Sequence, residues 1–132
     1  MKDIQEHILL TDLNDNGILR LTLNDIGNKN ALSESMMQKL LKAISKASKD
    51  NSVRVIIITS TGNVFCSGHN LKEINEASKL NDKGESYYLD LFNTCSKLMQ
   101  LIINCPKPVI AEVNGIATAA GCQLVASCDL AI

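Results

Sequence analysis

A run of β-branched residues leading into a glycine corner limits what this chain can fold into more than any other stretch. Residues 53–59 run through Val53, Val55, Ile56, Ile57, Ile58 and Thr59, broken only by Arg54. That is the pattern of a strand covered on both faces. It is followed by Asn63-Val64-Phe65-Cys66-Ser67-Gly68-His69-Asn70-Leu71-Lys72, which passes from strand to turn to helical pattern. The same order recurs when the apolar run 108–113 meets Asn114-Gly115-Ile116-Ala117-Thr118-Ala119-Ala120-Gly121-Cys122-Gln123. A strand-to-helix corner leaves backbone amides unpaired at a helix start, where aligned peptide dipoles favour a negative oxygen. Two such corners side by side would cradle one oxyanion. The candidate donors are the amides of His69, just after Gly68, and of Ala120, at the start of the second helix.

The rest of the chain supplies a frame for that pair. Residues 8–12 and 17–23 are short apolar runs separated by Asn14, Asp15, Asn16 and Gly17, a hairpin signal because Asn and Gly tolerate positive φ. Residues 24–30 predict a loop. Ser33 is a good N-cap, and Met37, Leu40, Leu41, Ile44 and Ala47 behind it keep helical spacing while Lys39, Lys42, Lys46 and Lys49 fall elsewhere, so an amphipathic helix is expected to about Asp50. Residues 71–77 predict a short helix and 79–84 a mobile connection. From Tyr88, Leu91, Phe92, Cys95, Leu98, Met99 and Ile102 keep helical spacing until Pro106 stops the helix. A strand over 108–113, a helix continuing over 123–127 and a strand starting at Asp129 complete an α/β order with a mainly parallel sheet and right-handed crossovers. Ile132 stands inside an apolar strand start with no covering helix behind it. The expected domain is therefore 1–132 as the N-terminal part of one longer, apparently truncated domain.

Composition narrows the function. Of 132 residues, 45% are hydrophobic and 20% charged, which suits one cored domain. Thirteen basic against fourteen acidic residues, with no cluster of Lys or Arg beside aromatics, argue against nucleic acid and membrane surfaces as partners. Residues 1–7 have neither an apolar core nor an Arg-rich amphipathic pattern, and no apolar run nears the ~20 residues needed to span a bilayer, so a cytoplasmic protein is expected. The five cysteines, Cys66, Cys95, Cys105, Cys122 and Cys128, form an odd set without a Cys-x-x-Cys pair and are expected as buried, reduced thiols. Cys66 and His69 are spaced as half a metal site with no second pair elsewhere, so no metal is expected. The cysteines also lack a separate orienting base for a nucleophile's role.

Two converging amides at ~3 Å from a developing oxyanion stabilise an enolate or tetrahedral intermediate, and losing one typically costs ~3 kcal/mol. That suits acyl chemistry on a thioester. Small residues at Ser67, Gly68, Ala119, Ala120 and Gly121 fit close backbone approach to a ligand. Spacing alone is equally met by two ordinary strand-helix turns, since neither stretch has the form of a phosphate loop. The His69 imidazole is a candidate acid or base, beside a reading in which only its backbone matters.

Phe65-Cys66-Ser67-Gly68-His69-Asn70-Leu71-Lys72-Glu73 resembles the signature segment of the crotonase, or enoyl-CoA hydratase/isomerase, superfamily. Asn30-Ala31-Leu32-Ser33 is similar to the family's approach to its first helix, and Pro106-Lys107-Pro108-Val109-Ile110-Ala111 with Asn114, Gly115, Gly121, Cys122, Leu124, Cys128 and Asp129 resembles its second signature. The resemblance implies a crotonase-like ββα spiral, here its N-terminal portion without the C-terminal helices, that takes a coenzyme A thioester as substrate with no further cofactor. It implies that the thioester carbonyl is held by the amides of His69 and Ala120. The coenzyme A moiety would run past Lys29, Ala31 and the loop of Ser67, Gly68, Asn70, Leu71 and Lys72, with Ile116, Ala119 and Gln123 also in the substrate set. It further implies trimers or dimers of trimers, a role in fatty acid or related acyl metabolism, and a mitochondrial location in some members.

One departure carries weight. The first of the family's two proton-handling glutamates maps onto Gln123, and the second would lie beyond Ile132. An amide neither carries the charge nor accepts a proton near neutral pH, so standard hydration is not expected of these residues. Gln123 can still orient a water or a carbonyl. A non-catalytic acyl-CoA binder or scaffold, and an inactive truncated product, are the rival expectations.

Overall fold

The computed structural model describes residues 7–132, so the reading of the first six residues lies outside the described part. Strands β1 (Leu9–Leu13) and β2 (Ile18–Leu23) pair antiparallel. The Asn14 side chain accepts from the amides of Asn16 and Ile18 at 3.0 Å each, closing the hairpin. A 3-10 turn over Ile26–Asn28 breaks the expected loop, and Lys29 and Asn30 follow it in the left-handed region. Helix α1 (Glu34–Lys49) starts at Ser33, whose hydroxyl accepts from the Met36 amide at 3.1 Å. Then come β3 (Val55–Ser60), β4 (Val64–Cys66), α2 (Leu71–Ala77), α3 (Glu85–Ile103), β5 (Val109–Ala111), β6 (Ile116–Ala117), α4 (Ala120–Ser127) and β7 (Leu130–Ala131).

Five strands form one sheet in the order β1-β2-β3-β5-β7, parallel except for the hairpin. The expected α/β architecture with a mainly parallel sheet is what forms. The sequence did not reveal that β4 and β6 leave this sheet and pair parallel in a second, two-stranded one. That small sheet brings the two corners together, because each corner begins where one of its strands ends.

The core lies on one face of the larger sheet. Leu21 and Leu23 of β2 and Ile56 and Ile58 of β3 are fully buried, with Met36, Met37, Leu40 and Ile44 of α1 and Leu98 and Ile102 of α3 packed in the same cluster. β3 differs from its expectation of burial on both faces: Val55 and Ile57 stay half-buried. Their face also holds Arg20, whose guanidinium donates to Glu112 at 2.8 Å, and Thr59, whose hydroxyl donates to the same carboxylate oxygen at 3.1 Å. Polar groups that pair with each other need no apolar cover.

Helix α3 starts earlier than expected. Residues 79–84, read as a mobile connection, fold into hydrogen-bonded turns, and the Asp82 carboxylate accepts from the amides of Gly84 and Ser86 at 3.0 and 3.1 Å. That carboxylate satisfies amides at the helix start that would otherwise lack partners. The cysteines divide. All five are free, but only Cys66 and Cys95 are buried, Cys105 and Cys128 are half-buried and Cys122 is exposed. Cys122 departs from the expected burial because it sits in the first turn of α4, one position past the buried Ala120-Gly121 edge.

Candidate active site

Chain geometry at the first corner follows from glycine. Gly68 holds φ at 93°, where an L side chain is strained, and its carbonyl accepts from the Leu32 amide at 2.7 Å. A methyl group on Gly68 would lie 2.9 Å from Ala119 Cβ and 3.2 Å from the Ala120 nitrogen. The two corners are therefore in direct contact, and only a bare α-carbon fits between them. At the second corner the contact is tighter still: a methyl on Gly121 would meet the Cys66 carbonyl oxygen at 2.1 Å. Thr118 stitches the pair, its amide donating to the Cys66 carbonyl at 3.1 Å and its hydroxyl to the Ser67 carbonyl at 3.3 Å.

Among the described residues the amides of His69 and Ala120 both lack a hydrogen-bond acceptor, whereas Gly121, Cys122 and Gln123 donate back to Thr118 and Ala119. Ala120 is the first residue of α4, so its amide has no intrahelical partner by construction. Neighbouring free amides can donate to one oxygen.

Several contacts fix the first corner. The Ser67 amide donates to the Lys29 carbonyl at 3.2 Å, and Asn70 caps α2 by accepting from the Lys72 amide at 3.0 Å. Glu73, one turn on, accepts from the Glu34 amide at the start of α1 at 3.1 Å, with the Tyr87 hydroxyl at 3.5 Å from the same oxygen. Burial, with the Glu73 carboxylate adding to it, pushes the Tyr87 phenol up to about 12, so it stays a donor. At the second corner, Asn114 accepts from the Ser60 hydroxyl and donates to the Ser60 carbonyl, both at 2.7 Å, tying the turn to the end of β3.

The remaining candidates scatter around this pair. A cavity of about 490 Å3 beside the corners is lined by Lys29, Ser67 and Ile116 of the expected set, together with Asn30, Asn63 and Thr118. Ala31 is buried, with 4% of its surface exposed. Leu71 is 75% exposed. Lys72 extends its ammonium to 3.5 Å from the Asn28 side-chain oxygen. Gln123 is exposed on α4. Asn30 was not singled out as a site residue, yet it is 1% exposed, and its side chain accepts from the Asp25 amide and donates to the Thr61 and Val64 carbonyls at 2.7 to 2.9 Å. Its only sequence signal is an Asn in a loop that needs a left-handed residue.

His69 presents its ring edge-on to Phe92 of α3, with centroids 5.5 Å apart. Its Nδ1 is buried and makes no hydrogen bond. Burial lowers its pKa from the usual imidazole value, with the Leu32 carbonyl and the Glu73 carboxylate opposing more weakly, so the ring is neutral at pH 7. Burial pushes the Cys66 thiol up to about 11. Among the described residues no three His, Cys, Asp or Glu side chains come together as a metal site.

Comparison with known proteins gives one consistent picture. The sequence profile of the family described as Enoyl-CoA hydratase/isomerase matches residues 14–132. The chain is 53% identical over 128 residues to enoyl-CoA hydratase domain-containing protein 3, mitochondrial, of Xenopus laevis, covering 96% of this chain and 42% of that protein. Among solved structures, human enoyl Coenzyme A hydratase domain-containing protein 3 superposes with a TM-score of 0.85 at 45% identity, over 94% of this chain and 47% of that one. An enoyl-CoA hydratase of Mycobacterium smegmatis gives a TM-score of 0.85 at 46% identity, over 94% of this chain and 46% of that one. The chain thus spans less than half the length of each of these three relatives.

Proposed function

Since the chain belongs to the enoyl-CoA hydratase/isomerase family and has its crotonase fold, we propose that it binds a coenzyme A thioester with the carbonyl oxygen between the amides of His69 and Ala120. The reading is carried by one observation: both amides are free at corners so close that no Cβ fits between Gly68 and Ala119. Donors fixed in advance stabilise charge that develops on that oxygen, as in an enolate, without reorganising when it appears. The cavity lined by Lys29, Ser67 and Ile116 is where the nucleotide part would leave the corners, with the Lys29 and Lys72 ammoniums meeting its phosphates. Ala31, Gly68, Asn70 and Leu71, which lie outside the lining of that cavity, would flank the rest of the substrate's path.

Proton transfer is the separate question. Gln123 holds the position of the family's first glutamate and cannot act as a base, so hydration by a glutamate pair is not part of this proposal. Its exposed amide favours a second reading, a non-catalytic acyl-CoA binder that orients the thioester without turning it over. Assembly as a trimer or hexamer, and service in fatty acid metabolism, belong to the same proposal. The mitochondrial location printed in the frog relative's name is carried over on the same terms.

Titration with acetyl-CoA and crotonyl-CoA, following heat and the enoyl absorbance together, tests both readings. Saturable binding of both thioesters is expected. Loss of the crotonyl absorbance adds catalysis, and an unchanged absorbance selects the binder. No saturable binding overturns the thioester assignment.

A further inference from the structure

A second cavity lies apart from the corners and shares no residue with them: a groove of about 420 Å3 between α1 and the inner face of the β1–β2 hairpin. Its origin is readable residue by residue. Along β1 the groove-lining positions are Leu9, Thr11 and Leu13, and exposure rises from 9% at Leu9 to 42% at Leu13, so the hairpin lifts off the helix towards its turn. Opposite, Ala43 and Ala47 of α1 present only a methyl group to the groove. The floor, with Leu19, Leu21 and Val53, is apolar.

One wall is basic. Lys39, Lys42 and Lys46 all line the groove at spacings that share a helix face. Among the described residues none of the three has a hydrogen-bonded or ion-paired acid. The single lining carboxylate, Asp50, is bonded to the Ser52 amide and hydroxyl. An apolar floor beside three ammonium groups complements a ligand with a long apolar tail and an anionic head.

Size chooses among such ligands. The groove runs over four residue steps of β1, roughly 14 Å at about 3.4 Å each. The groove holds about 420 Å3. Small-molecule pockets run from about 300 to 1,000 Å3 and are mostly apolar with a few placed polar groups. We propose that the groove binds a long-chain carboxylate, its tail on Leu13, Leu19 and Ala43 and its head against Lys42 and Lys46.

Calorimetric titration of the intact chain with laurate, octanoate and dodecyltrimethylammonium, each below its micelle concentration, tests this. Laurate is expected to bind one to one and more weakly as salt is raised. Octanoate should bind more weakly by about threefold to fourfold per methylene removed, and the ammonium at least tenfold more weakly than laurate. Ala43→Leu should fill the groove, cutting laurate affinity at least tenfold while the melting temperature holds or rises. The double substitution Lys42→Glu with Lys46→Glu should weaken laurate and strengthen the ammonium. Saturating crotonyl-CoA should leave laurate binding unchanged, which separates this groove from the corners. Equal binding of the two charged amphiphiles, displacement by crotonyl-CoA, indifference to Ala43→Leu, no laurate binding, or saturation by an acidic amphipathic peptide in place of laurate would each overturn the proposal.

Discussion

Ala119 turns the chain into α4 at the second corner with φ 50° and ψ −126°, a conformation that L residues rarely adopt. It is held there from both sides, by the Thr118 amide on the Cys66 carbonyl and by the Gln123 amide on its own carbonyl. Such a residue stores about 1–3 kcal/mol of strain, and glycine would release it at about 0.5–1 kcal/mol of unfolded-state entropy. Ala119→Gly should therefore raise stability by about 1 kcal/mol, read as a higher urea midpoint at unchanged slope. A lower midpoint would mean that the Ala119 methyl packs well enough to outweigh the strain. His69 gives a pH signature of known sign. Its folded pKa lies below the unfolded value, so the unfolded state binds the proton more readily. Stability should be full above the usual imidazole pKa of about 6.5 and fall as pH drops below it. His69→Gln should flatten the unfolding free energy between pH 7 and pH 5.5. If the variant keeps the full slope, His69 is not its source.

Helix α4 shows why a corner can be rigid at its residues and still depend on its element. Gly121 rests on the Cys66 carbonyl so closely that a methyl would sit 2.1 Å from the oxygen. Gly121→Ala must push α4 off β4, costing about 3 kcal/mol. Gly27, in the turn before α1, has nothing within 4 Å of its absent methyl, so Gly27→Ala should stay within about 0.5 kcal/mol of the parent. Paired thermal melts check the contrast, and equal losses at both positions would refute it. The same elements show how far the sequence could be read. The hairpin was legible because Asn14 and Gly17 impose their own turn. α1 was legible because Ser33 and a 3.6-residue apolar stripe agree, and β3 because its apolar run is long. β6 was not, since two residues carry no period and their strand status comes from pairing with Val64 and Cys66, 51 or more residues away. At the corners, small residues after a strand signalled close backbone approach. The strain at Ala119, the Asn114–Ser60 clasp and the three-way lashing by Asn30 left no such trace, because each is defined by partners that only tertiary structure supplies.

Cooperativity of the molecule as a whole can be followed through its thiols. Cys66 ends β4 at the first corner and Cys95 sits in the middle of α3, 29 positions away, yet both are buried in one apolar cluster. Burial raises the pKa of each. A thiol must ionise to react, so neither should meet a disulfide reagent in the native state. Cys122 is exposed on the first turn of α4, within reach of the reagent. If the cluster opens as one unit, Cys66 and Cys95 must become reactive in the same event, since both are buried inside it. Labelling with an aromatic disulfide at pH 8, followed cysteine by cysteine by mass, should show Cys122 modified first. Cys66 and Cys95 should follow more slowly with one shared rate that rises together in mild urea. If Cys95 labelled well ahead of Cys66, α3 would be opening by itself, and the corners would be held by the small β4–β6 sheet and its α4 contact without help from the main core.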